Sequence, residues 1–205
     1  MIILNDNEKY ATDQWLENKK RGYDNSCGEE SKVCNTIRLQ KKLSEVFIKY
    51  NIKSISDCPC GHFSWISNII KDFPEIEYNG YDVNRVLIER NQGFYNEFPV
   101  KFYHFDFVFQ TLPYADLIIC RDGFQHLPEK YIIQSLYNFK NSGSKYLIST
   151  TYPGIDINID PYTKETKGWG YREINLCIPP FNLGKTIGWI DEPKFNRIQG
   201  IWKIN

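Results

Sequence analysis

The chain lacks a charge bias, with 25 Lys plus Arg against 25 Asp plus Glu in 205 residues, so no global field draws it to nucleic acid or an anionic membrane. Lys19-Lys20-Arg21 and Lys41-Lys42 are short basic runs of the kind that solvated faces carry. No apolar stretch approaches about 18 residues, and the N-terminus has no basic region followed by an apolar core. Neither a membrane span nor a signal peptide is expected, and the expected location is the cytoplasm. Cys27, Cys34, Cys58, Cys60, Cys120 and Cys177 lack the paired spacings of a zinc site, which leaves reduced structural thiols and no dedicated metal site. A phosphate-gripping loop is missing too. No Lys-Ser/Thr follows a glycine run, and the three-glycine dinucleotide fingerprint is reduced to Gly61. No internal repeat or low-complexity tract breaks the chain, whose length suits one α/β domain burying about 70% of the surface exposed on unfolding.

The most informative stretch that is present runs from Ile55 to Trp65. Ile52 to Ser56 alternates as a strand does, and Phe63, Ile66, Ile69 and Ile70 recur at helical spacing. Asp57-Cys58-Pro59-Cys60-Gly61 is the turn between them. Pro59 fixes one dihedral, Gly61 lets backbone approach a ligand, and the pattern predicts helix-start N–H groups free for a polar partner. A second strand-like run, Ile76 to Tyr81, closes on Asp82, about the separation at which a doubly wound sheet places a carboxylate against ribose hydroxyls. A third, Val100 to Phe105, closes on Asp106, and a fourth, Asp116 to Cys120, on Arg121-Asp122. Ligands of open α/β sheets bind beyond the carboxyl ends of the strands. Asp57, Asp82, Asp106 and Asp122 are therefore either the lining of one crevice or turn formers and helix caps.

Around these anchors the pattern predicts an N-terminal helical cover over residues 1–50, with Ile37, Leu39, Leu43, Val46, Phe47 and Tyr50 on one helix. A cofactor-binding core follows over 52–150, a substrate loop over 151–183 and C-terminal strands over 184–205. Within the core, Val83 to Tyr95 and Glu129 to Lys140 read as helices, the latter introduced by Pro128. The third crossover is short, and Ser144 to Thr150 is the fifth strand. Ile187 to Ile190 and Ile198 to Ile204 are expected to pair antiparallel at the sheet edge.

Asp57-Cys-Pro-Cys-Gly61, Tyr81-Asp82-Val83, Phe105-Asp106 and Asp116 to Asp122 resemble, in order, the cofactor-binding motifs of class I S-adenosylmethionine-dependent methyltransferases. Arg121 to Leu127, Ser142 to Leu147 with Thr150-Thr151-Tyr152-Pro153, and Asn175-Leu176 with Pro179 to Asn182 are similar to a group of small methyltransferases, over about residues 15 to 204. Pro59 and Phe63 replace the first and third glycines of the usual loop, and His62 stands where that group often has an acid. The resemblance implies a Rossmann-like, doubly wound, mostly parallel seven-stranded sheet with helices on both faces and an antiparallel C-terminal edge. It also implies S-adenosylmethionine as cofactor and S-adenosylhomocysteine as product. Asp57 and Gly61 would flank the methionine moiety, Asp82 would take the ribose hydroxyls and Asp106 with Phe107 the adenine, and Pro59 and Arg121 would also bind the cofactor. Trp15, Tyr23 and Ser26 would close over the cofactor.

Such chemistry needs a nucleophile placed in line with the methyl carbon and, for a hydroxyl acceptor, a base. Asp122 and His126 are the candidates, since a spacing of four shares a helical face. A histidine near a helix start is held neutral and able to accept a proton. The other reading is that His126 caps a turn or bonds Asp122. His62 and His104 are weaker candidates. The segment from Tyr152 to Phe181 is long for a connection. Its Tyr152, Trp169, Arg172, Asn175 and Phe181 offer stacking faces, a fixed charge and an amide suited to a sugar or another polar ring, or else anchor the loop to the core. The expected partner is a small-molecule or glycan acceptor methylated on oxygen. A protein or nucleic-acid methyltransferase and a silent cofactor-binding module are the alternatives, and the broken glycine pattern disfavours a nicotinamide enzyme.

Overall fold

The computed structural model describes residues 29–160 and 171–205 and, singly, Lys9 and Leu16. Trp15, Tyr23, Ser26 and Trp169, and the Lys19-Lys20-Arg21 run, lie outside the described residues.

Seven strands form one mixed sheet: β1 (Ser54–Asp57), β2 (Glu77–Asp82), β3 (Val100–His104), β4 (Leu117–Cys120), β5 (Tyr146–Thr151), β6 (Gly188–Glu192) and β7 (Arg197–Lys203). Their order is β3-β2-β1-β4-β5-β7-β6. β1, β2 and β3 pair in parallel, as do β4 and β5, whereas β7 runs antiparallel to both β5 and β6. This is the mostly parallel sheet with an antiparallel C-terminal edge that the resemblance implies. Around it are α1 (Val33–Lys49), α2 (Ser67–Ile70), α3 (Arg85–Phe94) and α4 (Glu129–Asn141). The chain divides into two compact units, Met1–Asp106 and Phe107–Asn205.

In the first unit, α1 buries Thr36, Leu39, Leu43, Val46 and Phe47 at helical spacing. Each large apolar side chain so buried contributes about 1.5–3 kcal/mol. Ile37, placed on that stripe from sequence, is instead 64% exposed, one residue off the buried face. α3 starts where Asn84 accepts the Leu87 N–H at 3.1 Å, a cap worth about 1 kcal/mol. α2 departs from expectation. The turn after β1 does not open directly into a helix, because Gly61 (φ 55°) and Phe63 (φ 61°) are both left-handed, a conformation no right-handed helix continues. Only Ser67 to Ile70 are α-helical. Gly80, in the middle of β2, is small for a reason: a Cβ there would stand 2.7 Å from the Phe102 ring and 3.1 Å from the Cys60 Cβ.

In the second unit, all four residues of β4 are buried, as a central strand requires. No helix intervenes between β3 and β4, so the third crossover is short as predicted. α4 begins after Pro128 and buries Ile132, Ser135, Asn138 and Phe139. Asn138 donates to the carbonyls of Phe107 (3.1 Å) and Val108 (2.8 Å), tying down the connection that precedes β4.

Candidate functional site

Three carboxylates stand at the carboxyl ends of adjacent parallel strands in the first unit. Asp57 closes β1, Asp82 closes β2, and Asp106 follows β3 by two residues. The register pairs Asp57 with Gly80 and Asp82 with His104, which puts the three acids at one end of the strands. All are buried, at 2%, 6% and 9% exposure. An acid this dry persists only when its oxygens are matched by donors.

Asp82 shows how the match is made. Its Oδ1 accepts the Asn84 N–H at 2.9 Å and its Oδ2 the Gly61 N–H at 3.1 Å. Burial raises the Asp82 carboxyl above the ordinary aspartate range, against the opposing pull of those two N–H groups. The Gly61 N–H that the sequence leaves free is therefore given to Asp82, because the left-handed turn aims it at the end of β2. Asn91 completes the turn by donating to the Gly61 carbonyl at 2.7 Å, and the Cys60 N–H donates to the Tyr81 carbonyl at 2.9 Å. Each carboxylate oxygen carries two lone pairs, so Asp82 retains acceptor capacity for a diol.

Asp57 is held from below. The Tyr78 hydroxyl donates to its Oδ2 at 2.6 Å, and the Tyr78 ring lies 4.7 Å from Phe63 in a cluster with Phe102 and Tyr95. Burial, followed by the Asp57 charge, raises the Tyr78 phenol well above its usual value, so it stays a donor. Pro59 follows a cis peptide bond after Cys58. His62, 8% exposed, is pulled down to about 4 by burial and then by the Arg90 guanidinium, and is neutral at pH 7. His104 lies between the Arg85 guanidinium (3.1 Å, Nδ1) and the Val83 carbonyl (3.0 Å, Nε2), an arrangement that fits a proton on Nε2. A surface cleft of about 360 Å³ beside β3, lined by residues such as Gln92, Lys101 and Tyr103, contains none of the candidate site residues.

The second unit holds a different cluster. Asp122 has a left-handed backbone (φ 57°) and accepts a fork from Arg197, 2.7 Å to Oδ1 and 2.9 Å to Oδ2. Arg197 also donates through Nε to Glu192 (3.1 Å), and Glu192 accepts from Arg121 (2.7 Å). Burial opposes the Arg197 charge, but Asp122 and Glu192 outweigh it and hold the guanidinium protonated. Thr150 links in as donor to Asp122 (3.1 Å) and acceptor of its N–H (3.0 Å). Arg121 is thus engaged with Glu192 within this unit. The segment after Asp122 is a 3-10 turn, Phe124–His126, and not the α-helix that a shared Asp122–His126 face requires. Asp122 breaks the helical path before it and Pro128 starts α4 after it. The His126 ring lies 5.3 Å from the Tyr171 ring. The Tyr171 hydroxyl pairs with that of Tyr152 and accepts from Arg197 at 3.2 Å. Burial, with the Asp122 charge behind it, raises the Tyr171 phenol.

The remaining predicted residues bind the loop itself. Arg172 donates to the carbonyls of Ile159 (2.6 Å) and Leu127 (3.1 Å). Asn175 donates to Ile155 (2.9 Å) and accepts the Cys177 N–H (3.0 Å). Tyr152 and Phe181 are buried. Phe107 packs with Phe139 and Phe124 at 5.7 and 6.2 Å. Sequence reasoning missed Tyr78, Glu192, Arg197 and Gln199. The signal for the last three was there: on β6 and β7 they occupy positions that burial reserves for the core.

No family model matches the sequence, and no curated protein is similar to it. The fold is nonetheless shared with solved structures. The bacterial CtHen1-C methyltransferase domain is similar at 17% identity and TM-score 0.51, over 56% of this chain and 65% of that one. The plantazolicin methyltransferase BpumL, in complex with a pentazolic desmethylPZN analog and SAH, aligns at 14% identity and TM-score 0.54, over 70% of this chain and 57% of that one. Magnesium protoporphyrin IX methyltransferase (ChlM) from Synechocystis PCC 6803 with bound SAH aligns at 14% and 0.54, over 71% and 70%. The chain therefore spans less than two thirds of the length of the first two.

Proposed function

We propose that this chain is an S-adenosylmethionine-dependent methyltransferase acting on an oxygen of a sugar, glycan or other small polar acceptor. The observation that carries the reading is the row of buried acids ending β1, β2 and β3 in a sheet of the methyltransferase type. Those donor and acceptor types fit the cofactor. A carboxylate with its two oxygens anchored by backbone N–H groups, as Asp82 has, suits vicinal hydroxyls. Asp57 suits an ammonium group, and Asp106 an exocyclic amine. Gly61 keeps side-chain bulk away from the turn.

When bound, the cofactor supplies an electrophilic methyl carbon on a sulfonium sulfur, so the protein's work is placement and, for a hydroxyl acceptor, proton removal. Of the two candidate bases, Asp122 already accepts two guanidinium hydrogen bonds from Arg197. The proton-accepting role therefore goes to His126, beside Tyr171. Arg172 and Asn175 would act on an acceptor by fixing the loop they brace, with Tyr152 and Phe181 as its buried footing. The zero formal charge supports a small acceptor over nucleic acid.

Thermal unfolding with S-adenosylmethionine, S-adenosylhomocysteine and NAD tests the cofactor. Stabilisation by the first two and not by NAD is expected, and stabilisation by NAD alone sinks the reading. A labelled-methyl screen over sugars, nucleotides and peptides then tests the acceptor, and transfer confined to nucleotides or peptides would replace the sugar reading.

A further inference from the structure

Position 78 is 1% exposed and sits among Phe63, Phe102 and Tyr95, with ring centroids 4.7 Å from Phe63 and 6.4 Å from Phe102. Packing there asks only for a phenylalanine. A hydroxyl in such surroundings costs free energy unless it is hydrogen-bonded, and among the described residues this one donates to Asp57 Oδ2 at 2.6 Å. β2 is the neighbour of β1, with Tyr78 opposite Ile55, so the phenol reaches up from one strand to the acid that ends the next. An ionised acceptor makes this bond short and strong, and it fixes the torsion that decides where the other carboxylate oxygen points.

We propose that Tyr78 is a positioning residue: it locks the Asp57 carboxylate so that its other oxygen is presented to the α-ammonium of the amino-acid portion of the cofactor. The inference rests on the cofactor reading above. It makes Tyr78 a determinant of how the site tells a nucleoside carrying an amino acid from one that lacks it. Asp82 receives its own tethers from Gly61 and Asn84, so the sugar end of the site does not depend on this bond.

The test is calorimetric binding of S-adenosylhomocysteine and of 5′-methylthioadenosine, which keeps the nucleoside and lacks the amino acid. Tyr78→Phe preserves the ring and should fold. It is expected to weaken S-adenosylhomocysteine about tenfold, the usual scale for a hydrogen bond to a charged group, and to leave methylthioadenosine unchanged. Asp57→Asn should give the same pattern, and in that background Tyr78→Phe should add nothing, because the two act as one unit. Equal weakening of both ligands, or of neither, overturns the inference while leaving the cofactor reading standing. Failure of the unaltered protein to bind S-adenosylhomocysteine overturns both.

Discussion

His62 offers the sharpest test of the electrostatics of the turn after β1. Its imidazole is 8% exposed, and burial, seconded by Arg90, brings it from 6.5 in an open chain to about 4. Between those two values the unfolded chain carries a proton that the folded protein refuses. Stability therefore rises with pH across the window. This contribution is complete above 6.5 and is lost as the pH falls toward about 4. At roughly 1.4 kcal/mol per tenfold in proton activity, the interval amounts to about 3 kcal/mol. Other groups also titrate. Asp82, whose carboxyl is raised by burial, works in the opposite sense, since ionising it in the folded state is the unfavourable step. The comparison that isolates the histidine is therefore between the unaltered protein and His62→Gln, by urea unfolding at about pH 7 and about pH 4.5. The unaltered protein should lose about 2–3 kcal/mol more than the variant. Parallel losses in the two proteins would refute the reasoning and mean that the imidazole takes up its proton without unfolding.

Three further outcomes follow from the geometry. Asp82→Ala should weaken S-adenosylhomocysteine binding by about 1.5–3 kcal/mol, read by calorimetry, with a smaller fall in stability; unchanged affinity would remove Asp82 from the site. Arg197→Met strands Asp122 and Glu192 without their shared cation and should cost about 3–5 kcal/mol in chemical unfolding, with Arg197→Lys recovering little because an ammonium cannot reproduce the fork. Gly80→Ala drives a methyl to 2.7 Å from the Phe102 ring and should destabilise by about 1–3 kcal/mol, measured by thermal unfolding.

The strands and most helices were legible because their signal is local. The apolar runs of β1, β2 and β4 and the stripe of α1 can be counted in the sequence, and the acids at the ends of β1 and β2 mark where those runs stop. The turn was harder to read. Phe63 with a positive φ has no signature, since a bulky residue normally avoids that region, and its backbone is held there by the packing of its ring against Tyr78, Tyr95 and Phe102. The partners of Asp122 were invisible for a different reason: Arg197 lies 75 residues further along, and only the sheet order brings β7 beside β5, where Thr150 also meets Gln199. Charges at inward positions of β6 and β7 were the one clue that local reading overlooked. Among the described residues between β5 and β6 there is no helix or strand, as expected of a loop, but the use of Arg172 and Asn175 on backbone carbonyls depends on that segment's own folded path.

The bridge from Arg121 and Asp122 to Glu192 and Arg197 has a consequence for how the second unit can be dismantled. The terminal hairpin carries one acid and one base of a four-member set whose other acid and base sit just past β4. A protease that removed the hairpin would take Arg197 from Asp122 and Glu192 from Arg121 in one cut, leaving those two their 3.4 Å contact with each other, and the shortened remnant should be digested faster than the whole. The last two strands should accordingly exchange their amide hydrogens in step with β4 and β5, and nicking the link between β6 and β7 should be tolerated far better than trimming either strand.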